Sequence, residues 1–554
     1  MQFVSALIKM GKTLHQTDEP TQISSNKPFS KPISFQIFST ALVALGSAFF
    51  IFLSIYKSDG KLVYTLDDPY IHLAVAENIL NGTFGINSGE FSSPSSSIIW
   101  PYLLAILLKL GVGELSPLAY SFPMGLASIW ILSGWVWEST EKHFGRARQV
   151  AFFLLPLLLA LCLNAFGLPM TGMEHSTHVF SSLLLLWGLA RLSEGKGDTY
   201  VIAVYVGIFL CATIRFEGLA LAFLGIGGLC LLKRWRDALA NFTIIASALA
   251  IYATYMNAHG LPFFPSSVLT KSELAVSASQ GDLFDNLGDS ISHLKPFLLK
   301  KWRMVLLFFS VYAAAGIIFA NKTGRKYRII LAICTIAILA HIIGGKYGFF
   351  NRYQVYVVGI SIFSLATAIR AGLRFRNGLA TFAFTAIVLG YVSDRYSGSL
   401  LDIPKASENI YQQQYQMGRF VKEYFPERVA VNDLGWVSFK NDLYVLDLWG
   451  LGSEEARKLR NNDVWKPDDL ESISRRHSVV FAMIYREWIP DVPKNWEHVA
   501  TLETSQITSA SPFVFFYLMD LTKRKEMENA LERFSETLPE GATLHMVSRE
   551  ADTL

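Results

Sequence analysis

The chain has 554 residues, of which 51% are hydrophobic and 17% charged, and its mean hydropathy is +0.33. Soluble domains carry about 25% charged residues, so this composition excludes a wholly soluble protein, and its apolar content excludes a disordered one. The net charge of only +4 and the lack of a Lys/Arg run able to track a phosphate backbone exclude nucleic acid as a partner.

Charge is unevenly spread. Residues 401–554 hold 43 of the Asp, Glu, Lys and Arg residues, and residues 1–400 hold 51. The expected fold is therefore mainly α: a polytopic helical membrane module over 34–396, and a soluble α/β domain over 404–554. Cys162, Cys211, Cys230 and Cys334 lie in apolar stretches without a CxxC pair, which argues against structural disulfides and zinc.

Residues 1–33 are polar, carry Lys9, Lys12, Lys27 and Lys31, and read as a cytoplasmic tail before an uncleaved first span near 35–56. Further apolar stretches recur near 97–112, 119–137, 149–166, 176–190, 200–214, 216–232, 239–257, 303–320, 328–343, 353–370 and 379–394. Four basic loops separate some of them: 141–148, 233–237, 321–328 and 374–377. Lys and Arg favour the cytoplasmic side. This places loops 58–96 and 258–302, the turn around Asn351 and the C-terminal domain outside, which in a bacterial inner membrane is the periplasm. Twelve spans would break this parity. The stretch 97–112 is short and contains Pro101, so it is expected at the interface, which leaves eleven spans, with thirteen the alternative.

The segment 65–100 is the most informative. Asp67 and Asp68 adjoin the outer end of the first span, and Ile71, Val75 and Ile79 follow at helical spacing, which predicts an amphipathic helix along the membrane surface. An Asp before Pro69 suits a helix cap. A carboxylate there also suits a general base that must reach an acceptor hydroxyl beside the bilayer. The two roles are compatible for neighbouring residues.

In the tail, 408–424 has helical character, and RVAVND, LYVLDLWG, SVVFAMIY and FVFFYLMD read as short strands with helices between them. Trp436, Trp449, Trp465, Trp488 and Trp496 suit either sugar contact or core filling.

The run Asp67-Asp68-Pro69-Tyr70-Ile71-His72, with Glu77-Asn78, Gly82, Asn87, Gly89-Glu90, Ser93-Pro94 and Trp100, resembles the first outer loop of GT-C glycosyltransferases, and within them the mycobacterial terminal arabinofuranosyltransferase B group. Gly172-Met173-Glu174, Arg215-Phe216-Glu217-Gly218, Leu261–Pro265 followed by Lys271, Asn351-Arg352-Tyr353, Asp433 and Asp447–Leu451 are similar to later segments of that family, in order. The resemblance implies a helical module with an outer-face active site, a polyprenyl-phosphate-linked sugar as donor, and a glycan or glycolipid hydroxyl as acceptor. It implies that Asp67 or Asp68 is the base, with Asp67 slightly favoured because Pro69 constrains Asp68. Met173, His175, Phe216 and Ser266 depart from the family pattern and bear on the donor sugar more than on the reaction.

Other polar residues carry two readings each. Glu174 and His175 suit a divalent cation with the acidic pair, or a solvated turn. Arg215 and Glu217 suit donor-phosphate binding, or an ion pair at membrane depth. Lys271 and Arg352 suit phosphate oxygens, or interfacial snorkelling. His72 suits the acid–base site, or a polar helix face, and His341 reads as a packed helix residue. No nucleotide-binding loop is present, which suits a lipid-linked donor. A transporter or flippase is the alternative, and it would call for repeated halves and broken helices at mid-bilayer.

Overall fold

The computed structural model describes residues 32–266, 301–348, 350–460 and 465–547. Most of the N-terminal tail, most of the 258–302 loop and Lys271 lie outside the described residues. The protein is mostly helical, with a small C-terminal sheet domain.

The helical body opens with α1 (Pro32–Lys57). Its buried residues Phe35, Ser39, Val43 and Ser47 recur every fourth position, so one narrow stripe packs inward and the rest of the helix faces away. Two short helices follow, α2 (Asp68–Leu80) and α3 (Trp100–Lys109). Then come α4 (Ser116–Thr140), α5 (Arg148–Cys162), α6 (His175–Ser193), α7 (Tyr200–Ile214), α8 (Gly218–Leu231) and α9 (Trp235–Ala258). The body closes with α10 (Lys301–Ile318), α11 (Arg328–Gly344), α12 (Val355–Ala371) and α13 (Gly378–Gln412). By length and composition α1, α4, α5, α9, α10 and α11 can cross a membrane, while α3, α7, α8 and α12 are shorter apolar helices.

Helices α6 and α12 form the centre. Every residue from Val355 to Ile369 is buried, so α12 is enclosed on all sides. Its polar residues are satisfied within the body: Ser361 and Thr367 hydroxyls donate to their own helix carbonyls, and Trp135 Nε1 donates to Thr367 Oγ1 at 2.9 Å.

The helices alternate in direction between two ends. One end gathers the four basic loops. There Arg370 pairs with Glu194 at 2.5 Å, Arg191 pairs with Glu138 at 2.8 Å, and the Tyr327 hydroxyl donates to Glu194. The other end gathers the loop after α1, the start of α6, the α7–α8 junction, the turn before α12 and the C-terminal domain. The two groups that sequence charge assigns to opposite sides are thus at opposite ends of the body.

Helix α3 has ten residues, about half of what a span needs. Helix α2 corrects the expectation of a surface-lying amphipathic helix. Pro69 through Ala76 are all buried, because α2 is wedged between the helical body and the C-terminal domain. Tyr70 stacks on Trp436 at 3.9 Å, so the face expected in lipid or water is covered by protein.

Helix α13 is 35 residues long and continuous across the expected domain boundary, with Pro404 inside it. The helical segment expected at 408–424 is broken at Gln413, after which come α14 (Gln414–Arg419) and a π turn to Tyr424. The domain beyond contains β1 (Val429–Val431), α15 (Gly435–Ser438), β2 (Val445–Asp447), α16 (Glu454–Leu459), α17 (Pro467–Arg476), β3 (Phe481–Ile484), β4 (Glu497–Glu503), β5 (Phe513–Leu518), α18 (Arg524–Ser535) and β6 (Thr543–Met546). The strand order is β2-β1-β3-β5-β4-β6. The first three strands pair in parallel and the rest antiparallel. All four strands read from the sequence are present. β4 escapes that reading because glutamates flank its apolar run, and β6 because it is only four residues long and mostly exposed.

Candidate active site

The segment leading into α2 is pinned from below. Thr65 N–H donates to the Met170 carbonyl at 3.0 Å, and Gly172 sits against Pro69. A Cβ on Gly172 would lie 2.7 Å from the Pro69 ring, and its φ of +63° lies in the left-handed region, so glycine fits this turn on both counts. The Asp67-Asp68-Pro69 backbone is thereby fixed against the start of α6.

The two acidic neighbours then diverge. Asp67 points toward the C-terminal domain. Its carboxyl oxygens accept the N–H groups of Gly435 (2.6 Å) and Trp436 (2.9 Å), which open α15. It is also hydrogen-bonded to the carboxyl of Asp433, whose Oδ2 accepts from Gln414 Nε2 at 2.8 Å and Tyr485 Oη at 2.9 Å. Burial first, and the neighbouring Asp433 second, push the Asp67 carboxyl well above the usual range. Burial raises Asp433 as well, against the hydrogen bonds from Gln414 and Tyr485. Two buried carboxyl groups in contact share a proton.

Asp68 points the other way. Its Oδ2 accepts from Arg352 Nη2 at 2.5 Å, and 19% of its side chain stays exposed. Arg352 lies over the Tyr353 ring at 5.1 Å, and Arg215 lies over the same ring at 5.6 Å. Arg215 is bound by Glu174 at 2.5 Å and by both carboxylate oxygens of Glu217. The His175 ring meets Tyr353 edge-on at 5.5 Å, and the electrostatic neighbours of His175 include Arg215, Arg352 and His72.

A cavity of about 790 Å³ opens beside both aspartates, between the helical body and the C-terminal domain. Asp67, Asp68 and Asp433 line it, as do the cations Lys301, Arg303 and Lys346. Tyr353 completes the body side, and Gln414, Trp449 and Trp488 lie on the domain side. The size suits an organic substrate of a few rings.

The residues singled out from sequence therefore gather at one end. Asp67 and Asp68 line the cavity. Arg352, Arg215, Glu174, His175 and His72 form a buried polar layer behind them, and Glu217 binds Arg215 from its exposed side. Lys271 lies outside the described residues. Glu174 Oε1 accepts from Arg215 and Ser96, while its Oε2 is buried without a hydrogen-bond partner. Among the described residues no group of three or more His, Cys, Asp or Glu is placed to hold a metal.

Sequence reasoning passed over Lys301, Arg303 and Lys346. Their signal was a basic cluster at the end opposite the other basic loops, against the charge rule. It also passed over Gln413, Gln414 and Tyr485. A polar run of glutamines gives no local hint that it is buried against an acid.

A family model described as a domain of unknown function (DUF8728) matches residues 408–517. No curated protein matches the chain in sequence. Among solved structures, the chain is similar to the oligosaccharyltransferase of Archaeoglobus fulgidus in its apo form, at 12% identity and a TM-score of 0.42, over 88% of this chain and 78% of that one. It is similar to the oligosaccharyltransferase AglB from Archaeoglobus fulgidus in complex with an inhibitory peptide and a dolichol-phosphate, at 12% identity and a TM-score of 0.41, over 87% and 74%. It is also similar to ArnT from Cupriavidus metallidurans bound to undecaprenyl phosphate, at 10% identity and a TM-score of 0.45, over 86% and 98%.

Proposed function

We propose that the protein is an integral-membrane glycosyltransferase of GT-C type, with eleven spans. In this reading it moves a sugar from a polyprenyl-phosphate donor to a hydroxyl of a glycan or glycolipid at the outer face of a bacterial inner membrane. The observation that carries this reading is the Asp68–Arg352 pair at the wall of a cavity between the helical body and the C-terminal domain.

Asp68 is the general base. One of its oxygens is held by Arg352, and the side chain keeps access to the cavity. The acceptor oxygen attacks the anomeric carbon as its proton passes to Asp68. The bond from that carbon to the phosphate oxygen breaks, and the polyprenyl phosphate leaves with the electron pair. Negative charge then grows on the phosphate, and Lys301, Arg303 and Lys346 on the cavity wall are placed to stabilise it. Arg352 and Tyr353 orient the base. Asp67 acts differently. Bound to the α15 N–H groups and to Asp433, it locks the C-terminal domain over the cavity. Holding the donor in the bilayer plane lowers the entropic cost of bringing the reactants together.

The transporter alternative is less well supported. The cavity and its polar layer lie at one end of the body, whereas alternating access calls for a site near mid-bilayer.

The test is to incubate the purified full-length protein with a panel of polyprenyl-phosphate sugars and a cell-envelope glycolipid extract, and to measure released polyprenyl phosphate. Release is expected with the native chain and is lost in Asp68→Asn. Release that is equal in Asp68→Asn and the native protein would sink the assignment of the base. No release from any donor would sink the transferase reading.

A further inference from the structure

The five tryptophans of the C-terminal domain have separate fates. Trp436 stacks on Tyr70, and Trp465 and Trp496 are buried in the apolar layer on one side of the sheet. Trp449 and Trp488 instead line the cavity, half-buried, with ring centroids 4.2 Å apart.

The fold fixes this pair. Asp447, fully buried at the end of β2, accepts the N–H groups of Trp449 (2.8 Å), Leu451 (2.6 Å) and Gly452 (2.7 Å). One carboxylate thus sets the backbone that presents Trp449. The Arg460 guanidinium backs the Trp449 ring at 3.8 Å, and Tyr485 meets Trp488 edge-on at 5.4 Å. A buried acid and two ring contacts hold two indoles that pack on the domain core with one side and reach the cavity wall with the other. Around them on the same wall are Gln414, Asn432 and Thr508, which supply amide and hydroxyl groups.

We propose that Trp449 and Trp488 form the acceptor subsite, and that the acceptor presented to Asp68 is a saccharide. This rests on the transferase reading above and adds the residues that hold the acceptor's sugar ring. A sugar ring has an apolar face whose C–H hydrogens are slightly positive, and an indole face is electron-rich, so the two pack face to face. The sugar's hydroxyl rim then meets the amides and hydroxyls that surround the indoles. A lipid chain would leave those polar groups desolvated without partners, which is unfavourable. The pair stands on the domain side of the cavity and the cations on the body side, so the acceptor enters over the C-terminal domain and the donor phosphate is held opposite.

The experiment uses the full-length protein in detergent without donor. Short linear mannan, galactan, glucan and arabinan oligosaccharides are tested by saturation-transfer difference NMR, beside a hydrophobic peptide of similar mass. Saturation concentrated on the ring C–H protons of at least one saccharide, and its loss in Trp488→Ala and Trp449→Ala, is the expected result. With the acceptor so identified, Trp488→Ala raises its KM roughly tenfold, the scale of one aromatic contact, and changes kcat less. Trp488→Phe restores part of the loss, and Trp496→Phe, in the domain core, leaves KM unchanged. Saturation of the peptide alone, of no saccharide, or of a saccharide equally in both alanine variants overturns the proposal. Because donor-derived polyprenyl phosphate release depends on Asp68 and not on this result, such a failure is separate from a failure of the transferase reading.

Discussion

Asp68 and Arg352, 284 positions apart in the chain, meet at 2.5 Å on the wall of the cavity, while the adjacent Asp67 turns away to cap a helix of the C-terminal domain. Two neighbouring carboxylates of one cavity wall thus enter two environments, one paired with an arginine of the helical body and one bound to the C-terminal domain.

This divergence predicts different phenotypes. Asp68→Asn should abolish sugar transfer, because an amide cannot take up the acceptor proton. Asp67→Ala should lower the thermal midpoint of the purified protein, because two buried N–H groups lose their acceptor, at about 1–3 kcal/mol each. Differential scanning fluorimetry beside the polyprenyl phosphate release assay reads both.

Arg352 should be needed for rate rather than for folding alone. Removing one oriented charge at a reacting centre costs about 10²–10³ in kcat, and Arg352→Ala is expected in that range. Arg352→Lys should recover only part of it, since an ammonium cannot keep the planar packing over Tyr353. Full recovery by lysine would show that charge alone suffices.

The Asp67–Asp433 contact makes a pH prediction. Both carboxyls have folded-state values raised above the ordinary range of about 3.9. A carboxyl with a raised value binds more protons folded than unfolded, so its contribution is fullest below the unfolded value and is lost as pH rises toward the folded one. Thermal stability should therefore decline with rising pH above that ordinary range, and Asp433→Asn should flatten the decline. An unchanged slope in Asp433→Asn would show that the pair does not share a proton.

Gly435 packs directly on Asp67, and an added Cβ would overlap the Asp67 carbonyl oxygen. Gly435→Ala should loosen the domain contact, cost about 1–3 kcal/mol through overpacking, and speed limited proteolysis between α13 and β1. A proteolysis rate equal to that of the native chain would contradict this.

At the far end, Glu194 is nearly fully buried and binds Arg370, Arg191 and Tyr327. Glu194→Gln leaves two arginines short of charge and should lower the thermal midpoint, on the scale of about 3–5 kcal/mol for a broken buried pair. The KM for donor should stay unchanged, because this network is at the end opposite the cavity.

Much of the architecture was legible because it depends on local composition. The apolar stretches and the four basic loops correspond to helices and to one end of the body, and the short, proline-containing 97–112 stretch corresponds to the short helix α3. The tail strands were legible where apolar runs were dense; β4 was lost between its terminal glutamates and β6 because it is short and mostly exposed. Helix α2 was misjudged, since a pattern of Ile71, Val75 and Ile79 records that a face is apolar and not what covers it. The glutamines at 413 and 414 were illegible for the converse reason: beyond the bond between them, their partners include Asp433, Tyr485 and Thr504, distant in the chain.

The sequence by itself determined that most of this chain is apolar and helical, that a more charged domain follows it, and that an acidic pair stands shortly after the first helix. These properties follow from transfer energies and short-range periodicity, which a linear string records directly. Only the tertiary structure decided which aspartate pairs with Arg352, that Asp67 joins Asp433, and that two of five tail tryptophans reach the cavity wall. Hydrogen bonds and Coulomb forces act through space over a few ångströms, and residues hundreds of positions apart acquire that proximity only when the chain has folded.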